Sequence, residues 1–339
     1  DMKRFLMTAM SAIMALSLMA CTDTGKEDEK KVSEGFIITD QAGRKVNFDK
    51  PAEKAISGYY IATSTVIGLG QKDKLVGVEM KADQREIYKQ AAPEILELPA
   101  MGNKKSFNVE AAIKTRADVA FLPIALKSYV GKLEDAGMKV ILLNPETQTE
   151  YDEAVNLIAI ALGAREEAQN YFNYRDVLME KYITDTGVAK KVYMSGSSLL
   201  EGAGSDMFQN SLLKSAKAEN VMAKAGKGWS TIGKETLLDM NPDVIFLENG
   251  GADVKRVLQD SALSSLNAVK KKQVYEFPSP LETWDTPNLS SCLGALWAYA
   301  TLYPDNLSMD TVKQEAKDFY RTFYHIEVKD SDLGDRKST

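Results

Sequence analysis

AREEAQNYFNYRDVLMEKYI, residues 164–183, runs without proline or glycine and consists mostly of good helix formers. Tyr171, Tyr174, Leu178 and Tyr182 recur at helical spacing and give it one apolar-aromatic stripe. At 1.5 Å per residue, about twenty residues span roughly 30 Å, the width of a domain. A straight element of that length, with a stripe to pack and no kink site, reads as a connector between two bodies.

The sequence on either side supports that reading. Upstream, short apolar strands at 54–57, 75–79, 118–122 and 139–143 alternate with helical stretches at 63–69, 108–115, 127–136 and 152–162. Strands alternating with helices imply a parallel sheet covered on both faces. Residues 36–40 and 45–48, separated by Gln41-Ala42-Gly43-Arg44, read as a β-hairpin in front of it. Downstream the alternation resumes, with strands at 191–195, 243–247 and 273–277 and helices near 211–218 and 234–239. The expected fold class is α/β: two Rossmann-like lobes with parallel sheets, joined by one long rigid α-helix, with a ligand cleft between them. The expected boundaries are 36–163 for the N-terminal lobe, 164–186 for the connector, 187–330 for the C-terminal lobe and 331–339 for a polar tail.

An internal duplication fits two lobes. Residues 110–122, EAAIKTRADVAFL, align without gaps on residues 235–247, ETLLDMNPDVIFL. Glu110 and Glu235, Asp118 and Asp243, and the Val, Phe and Leu of each strand coincide. Each copy reads as a short helix opening on Glu, a turn at Asp and a buried strand. Glutamate in a first turn is also favoured by the helix dipole alone, so a recurrent local solution is the plainer account.

The first twenty residues carry an export signal. Lys3 and Arg4 precede an uncharged stretch, residues 5–20, too short for the roughly 20 apolar residues of a spanning helix. It ends in Leu18-Met19-Ala20-Cys21, which suits cleavage before Cys21 and lipidation of that cysteine. Residues 22–34, TDTGKEDEKKVSE, have the composition of a solvated tether, so 21–35 is expected to be a lipidated flexible linker. The expected location is the outer face of the cytoplasmic membrane or the cell envelope.

With Cys21 consumed by lipid, Cys292 is the one remaining thiol, and it reads as a small buried apolar residue. His325 is the sole histidine, which excludes a His-rich zinc or manganese centre and leaves a serine nucleophile without a credible base. A net charge of -6 argues against nucleic acid as a partner. Met194-Ser195-Gly196-Ser197-Ser198 lacks the G-x-S-x-G elbow, and Gly202-Ala203-Gly204 has no third glycine at 207.

From about residue 36 to 330 the chain resembles the substrate-binding proteins of ABC importers whose lobes are bridged by a helix, most closely the branch serving ferric siderophores, haem and corrinoids. The residues that carry the resemblance are Ile38 to Arg44, Pro51 to Ser57, Gly68-Leu69-Gly70, Asn108-Val109-Glu110 through Leu122, Gly228-Trp229-Ser230-Thr231-Ile232, Asn241-Pro242-Asp243 and the C-terminal Asp318 to Tyr324. Many relatives carry a glutamate about where Ser64 or Thr65 stands here. The resemblance implies a non-enzymatic monomer with no intrinsic cofactor. Its partners would be a small metal-complex ligand, a permease with its ATPase, and the membrane through the lipid. It also implies that Glu110 and Glu235 dock onto arginines of the permease.

Ligands of α/β sheets sit beyond the carboxyl ends of the strands, which directs the search to particular loops. Tyr59 and Tyr60 could stack on or ligate a metal complex, or could be core residues beside a strand. Arg85, in the stretch 81–85, and the pair Lys104 and Lys105 could neutralise an anionic ligand, although paired lysines are often merely solvated. Met207 is a soft side chain that could ligate or fill a gap. Trp229 and Trp284 lie in loops and are expected to wall the cleft. An oxyanion such as molybdate, held by Lys104, Lys105 and backbone amides, is the alternative ligand. An extracytoplasmic hydrolase on the same scaffold is the alternative of another class.

Overall fold

In a sheet covered on both faces, the central strand residues are buried and alternate residues serve opposite cores. The computed structural model, which describes residues 35–103 and 105–334, shows this twice. The expected signal and tether with Cys21, together with Lys104 and residues 335–339, lie outside the described residues. The chain divides into units 1–34 and 35–339, and the second contains everything below.

An antiparallel hairpin, β1 (Phe36–Thr39) and β2 (Lys45–Phe48), leads into β3 (Ala55–Ser57), α1 (Tyr60–Gly68), β4 (Leu75–Gly77) and α2 (Glu86–Ala91). A small hairpin, β5 (Gly102–Asn103) and β6 (Ser106–Phe107), precedes α3 (Val109–Thr115), β7 (Val119–Pro123), α4 (Val130–Asp135), β8 (Lys139–Leu143) and α5 (Gln148–Leu162). The strands pair in parallel in the order β4-β3-β7-β8. Residues 124–129 form a 3-10 turn rather than the start of the expected helix over 127–136.

Gly163, in the left-handed region at φ 71°, ends α5 and turns the chain into α6 (Arg165–Tyr182), the expected connector. The second sheet follows: β9 (Lys190–Ser195), β10 (Glu201–Ala203), α7 (Phe208–Ser215), β11 (Ala218–Asn220), β12 (Trp229–Thr231), α8 (Lys234–Met240), β13 (Val244–Leu247), α9 (Val254–Gln259), α10 (Asn267–Lys270) and β14 (Val274–Glu276). β9, β13 and β14 are parallel, β11 runs parallel to one end of β9, and β10 and β12 add antiparallel strands beyond the other end. Two C-terminal helices, α11 (Ser291–Leu302) and α12 (Met309–Tyr324), close the fold.

The duplicated segment has the same local geometry in both lobes. α3 ends on Arg116 and α8 on Asn241, both left-handed. Asp118 Oδ2 then accepts the Glu53 and Lys54 N–H groups, each at 2.9 Å, just ahead of β3, and Asp243 Oδ2 accepts that of Lys191 at 3.0 Å in β9. The aspartate side chain ties each β7-type strand to its neighbour, which accounts for its presence in both copies.

Parity shows how the lobes are joined. Val119, Phe121, Ile141 and Leu143 of the first sheet share one core with Val192, Met194, Val244 and Phe246 of the second, while the alternate residues face two separate outer cores. The shared core is filled by α11, every residue of which is buried, and by α1, α5 and α12. The α6 stripe packs on α12: Tyr171 meets Phe323 edge-on, and Tyr174 meets Phe319 and Phe323. Arg175 of α6 makes a two-pronged pair with Asp152 of α5 at 2.6 and 2.9 Å.

A hinge through this region would have to break an apolar core as well as bend a helix free of proline and glycine, so closure on ligand should be small. Spin labels at Lys114 and Lys255 should move by only a few Å on saturation. A rotation of the lobes by tens of degrees would contradict the rigid connector.

Candidate functional site

A cavity of ≈ 700 Å³ lies between the lobes, lined by residues that follow the carboxyl ends of the strands. The first lobe contributes Gly58, Tyr59 and Tyr60 after β3, Glu79 to Lys81 with Gln84 and Arg85 after β4, and Pro145 and Glu146 after β8. The second contributes Met207, Phe208 and Gln209 after β10, Glu248 after β13, Thr286 and Pro287 after β14, and Trp229 from β12.

Tyr59, Tyr60, Arg85, Met207 and Trp229 thus come together in one cavity. Lys104 lies outside the described residues. Lys105 is exposed in the β5–β6 turn, its N–H bound to Asn103 Oδ1 at 2.8 Å, and it does not line the cavity. Trp284 corrects its expectation: it is 1 % exposed, and its indole N–H donates to the Tyr320 hydroxyl at 2.9 Å beneath the cleft. A loop position in sequence did not reveal that the C-terminal helices would cover it. Cys292 is buried on α11. His325 ends α12 in an exposed, left-handed position.

Arg85 is the best-defined charged group in the cleft. Its guanidinium sits 3.6 Å above the Tyr60 ring, and its Nε lies 3.4 Å from Glu79 Oε1. Glu79 is 5 % exposed and is held by the Tyr88 and Thr63 hydroxyls, both at 2.6 Å. Stacking and the ion pair orient the planar fork. Among the described residues its terminal nitrogens have no hydrogen-bond partner, and its side chain is 38 % exposed at the cavity. Burial pushes the Tyr59 and Tyr60 phenols well above the ordinary tyrosine value. At neutral pH both are therefore neutral, fit to donate hydrogen bonds or to stack.

Trp229 lies against backbone. A Cβ on Gly196 would come within 2.8 Å of its Cε3, so glycine at 196 lets the ring approach the backbone closely.

Below the cleft floor, sequence reading missed a buried carboxyl. Glu282 Oε1 accepts from the Tyr320 hydroxyl at 3.0 Å, while its Oε2, the Ser64 hydroxyl and the Tyr324 hydroxyl have no partner among the described residues. Burial pushes Glu282 up to about 7, against smaller opposing effects of Ser290, Tyr320, Ser64 and Arg85. Burial likewise raises Asp285 to about 7.

These shifts predict a pH dependence of stability. Below the ordinary carboxyl values of 4.5 and 3.8, folded and unfolded chains both hold the protons and no penalty exists. Above them the unfolded chain releases protons that the folded chain keeps, so stability falls as pH rises, down to a floor above about 7. Glu282 alone accounts for about 3 kcal/mol of that fall. Glu282→Gln should raise Tm at pH 8, change it little at pH 4 and reduce the slope between. Thermal melts across that range check the sign, and a lower Tm at pH 8 would refute it.

Two lobes over parallel sheets, a helical connector and a preformed cleft between them define a ligand-capturing protein. The chain belongs to the periplasmic binding protein family, the substrate-binding component of ABC transporters, which its residues 56–281 match. It is 26% identical over 325 residues to the molybdate-binding protein MolA of Haemophilus influenzae, covering 86% of this chain and 92% of that one. It is 25% identical over 310 residues to the uncharacterized ABC transporter substrate-binding lipoprotein YvrC of Bacillus subtilis, covering 86% and 95%. The crystal structure of a periplasmic solute binding protein from Veillonella parvula superposes with a TM-score of 0.74 at 22% identity, covering 88% of this chain and 95% of that one. Among the described residues, no helix is long and apolar enough to cross a membrane, and no group of three or more His, Cys, Asp or Glu residues could hold a metal ion.

Proposed function

We propose that the protein is exported, anchored through a lipid on Cys21, and captures an iron complex (ferric siderophore or haem) or a corrinoid, which it hands to a permease that docks at Glu110 and Glu235. The observation that carries the ligand class is the cavity. Its ≈ 700 Å³ falls in the range of pockets that enclose a ligand of some hundreds of daltons, and Tyr59, Tyr60, Met80, Met207 and Trp229 supply broad faces for one. Arg85 and Lys81 supply charge for an anionic group on it. With no protein metal site among the described residues, the metal would arrive already chelated.

The similarity to MolA supports a second reading, a molybdate- or tungstate-type oxyanion. Such an ion would fill a small part of the cavity and would use Arg85, Lys81 and backbone amides.

The deciding experiment is to purify the chain without residues 1–20, record its visible spectrum and metal content, and titrate it with haem, ferric chelates and molybdate. The first reading expects micromolar or tighter binding of a coloured complex and no competition by molybdate. Tight molybdate binding with no chelate bound would replace it with the second. Turnover of an ester or phosphoester would reject both.

A further inference from the structure

The two walls of the cleft differ in chemistry. The first lobe presents the Arg85 guanidinium and Lys81, with Glu79 engaged behind Arg85 and Glu146 exposed at the rim. The second lobe contributes no lysine, arginine or histidine to the lining. It presents acceptors instead. Gln209 lines the cavity while 5 % exposed; its Nε2 donates to the Asp285 carbonyl at 2.8 Å, which fixes Oε1 as the free acceptor, and that atom has no partner among the described residues. Beside it in the lining stands Glu248, half-buried, its carboxylate without an ion pair or hydrogen bond among the described residues. Burial and the neighbouring Glu201 push Glu248 above the ordinary glutamate value. The Trp229 ring, which packs on Gly196 next to Glu201, completes the wall with a face suited to a positive charge.

A buried acceptor and an uncompensated carboxylate are costly unless a ligand supplies the donors. We propose that the second-lobe wall, through Gln209 Oε1, Glu248 and the Trp229 face, is a subsite for a protonated amine or comparable cationic N–H donor. The captured complex is then dipolar, with its anionic side on Arg85 and its cationic side on Glu248. The proposal rests on the capture reading above and narrows its ligand.

The test uses the purified protein and two probes that differ at one terminus: the ferric complex of a linear trihydroxamate bearing a free terminal amine, and the same complex with that amine acetylated, which removes the charge and adds only a small group. Quenching of tryptophan fluorescence gives both affinities. The free-amine chelate should bind at least about tenfold tighter, and Glu248→Gln should reduce the ratio to below about threefold. Equal affinities in the unaltered protein, a ratio that survives in Glu248→Gln, or binding of neither chelate would each overturn the subsite. The capture reading fails on a different result, the absence of binding by haem and by ferric chelates of every charge.

Discussion

Glu110→Ala combined with Glu235→Ala should abolish uptake in cells while ligand affinity of the purified protein stays within about twofold. Both glutamates are exposed in the first turn of equivalent helices, α3 and α8, and neither has an ion-pair partner among the described residues. Neither lines the cleft. Each helix is tied to its sheet by the matching aspartate, Asp118 or Asp243, so the two carboxylates are carried on rigid mounts. If permease arginines cover them on docking, removing one partner of a desolvated pair costs about 2–5 kcal/mol per site, against 0–1 kcal/mol for an exposed pair. Two such losses exceed what a transient complex can tolerate, and single variants should retain partial transport. A large drop in ligand affinity in the double variant would place these residues in the binding site, and normal uptake would remove them from the docking surface.

The alternation of strands and helices was readable because parallel strands are near-continuous apolar runs bounded by turns. VAFLP and VIFL are examples, buried at every position. The connector was readable for the opposite reason: one stripe of tyrosines against polar residues marks a helix with a single buried side, and α6, Arg165–Tyr182, lies inside the expected 164–186 and stops four residues short of its end. What lay between the lobes was not readable. α11, SCLGALWAYATL, is buried all round and so has no periodic stripe to announce its partners. Its presence is what buries Trp284 and makes one core of two lobes.

The site was legible only in part, and the reason is electrostatic. Tyr59, Tyr60, Arg85 and Met207 could be found by asking which loops follow strands, whereas Trp229, expected in a loop, opens strand β12. Glu79, Gln209, Glu248 and Glu282 could not, because a carboxylate or amide in sequence reads as a solvated residue until the groups around it are known. A partial signal existed in Leu75-Val-Gly-Val-Glu79, where a glutamate closes an apolar strand at its ligand-facing end. Lys105 misdirected attention, since adjacent lysines look like an anion site whether or not they face the cavity, and Lys105 does not line it.

Arg85→Ala should weaken binding of any ligand with an anionic group by about a hundredfold. A charge-assisted hydrogen bond is worth about 1.5–3 kcal/mol, and a planar fork already stacked on Tyr60 loses little entropy in making it. The variant also has a second consequence. Glu79 keeps its two hydroxyl donors, Tyr88 and Thr63, but loses its only ion pair among the described residues, so a buried negative charge then faces the ligand. The loss should therefore exceed that of Arg85→Lys, which keeps the charge without the fork. Adding Glu79→Gln to Arg85→Ala should recover part of the affinity, because the repulsion goes while the hydroxyl contacts remain satisfiable. Fluorescence titrations of the single and double variants, with circular dichroism to confirm the fold, measure both terms. An affinity within about threefold of the unaltered protein for Arg85→Ala would show that the guanidinium serves the Glu79 pair and the Tyr60 stack alone, and that the anionic side of the ligand lies elsewhere in the cleft.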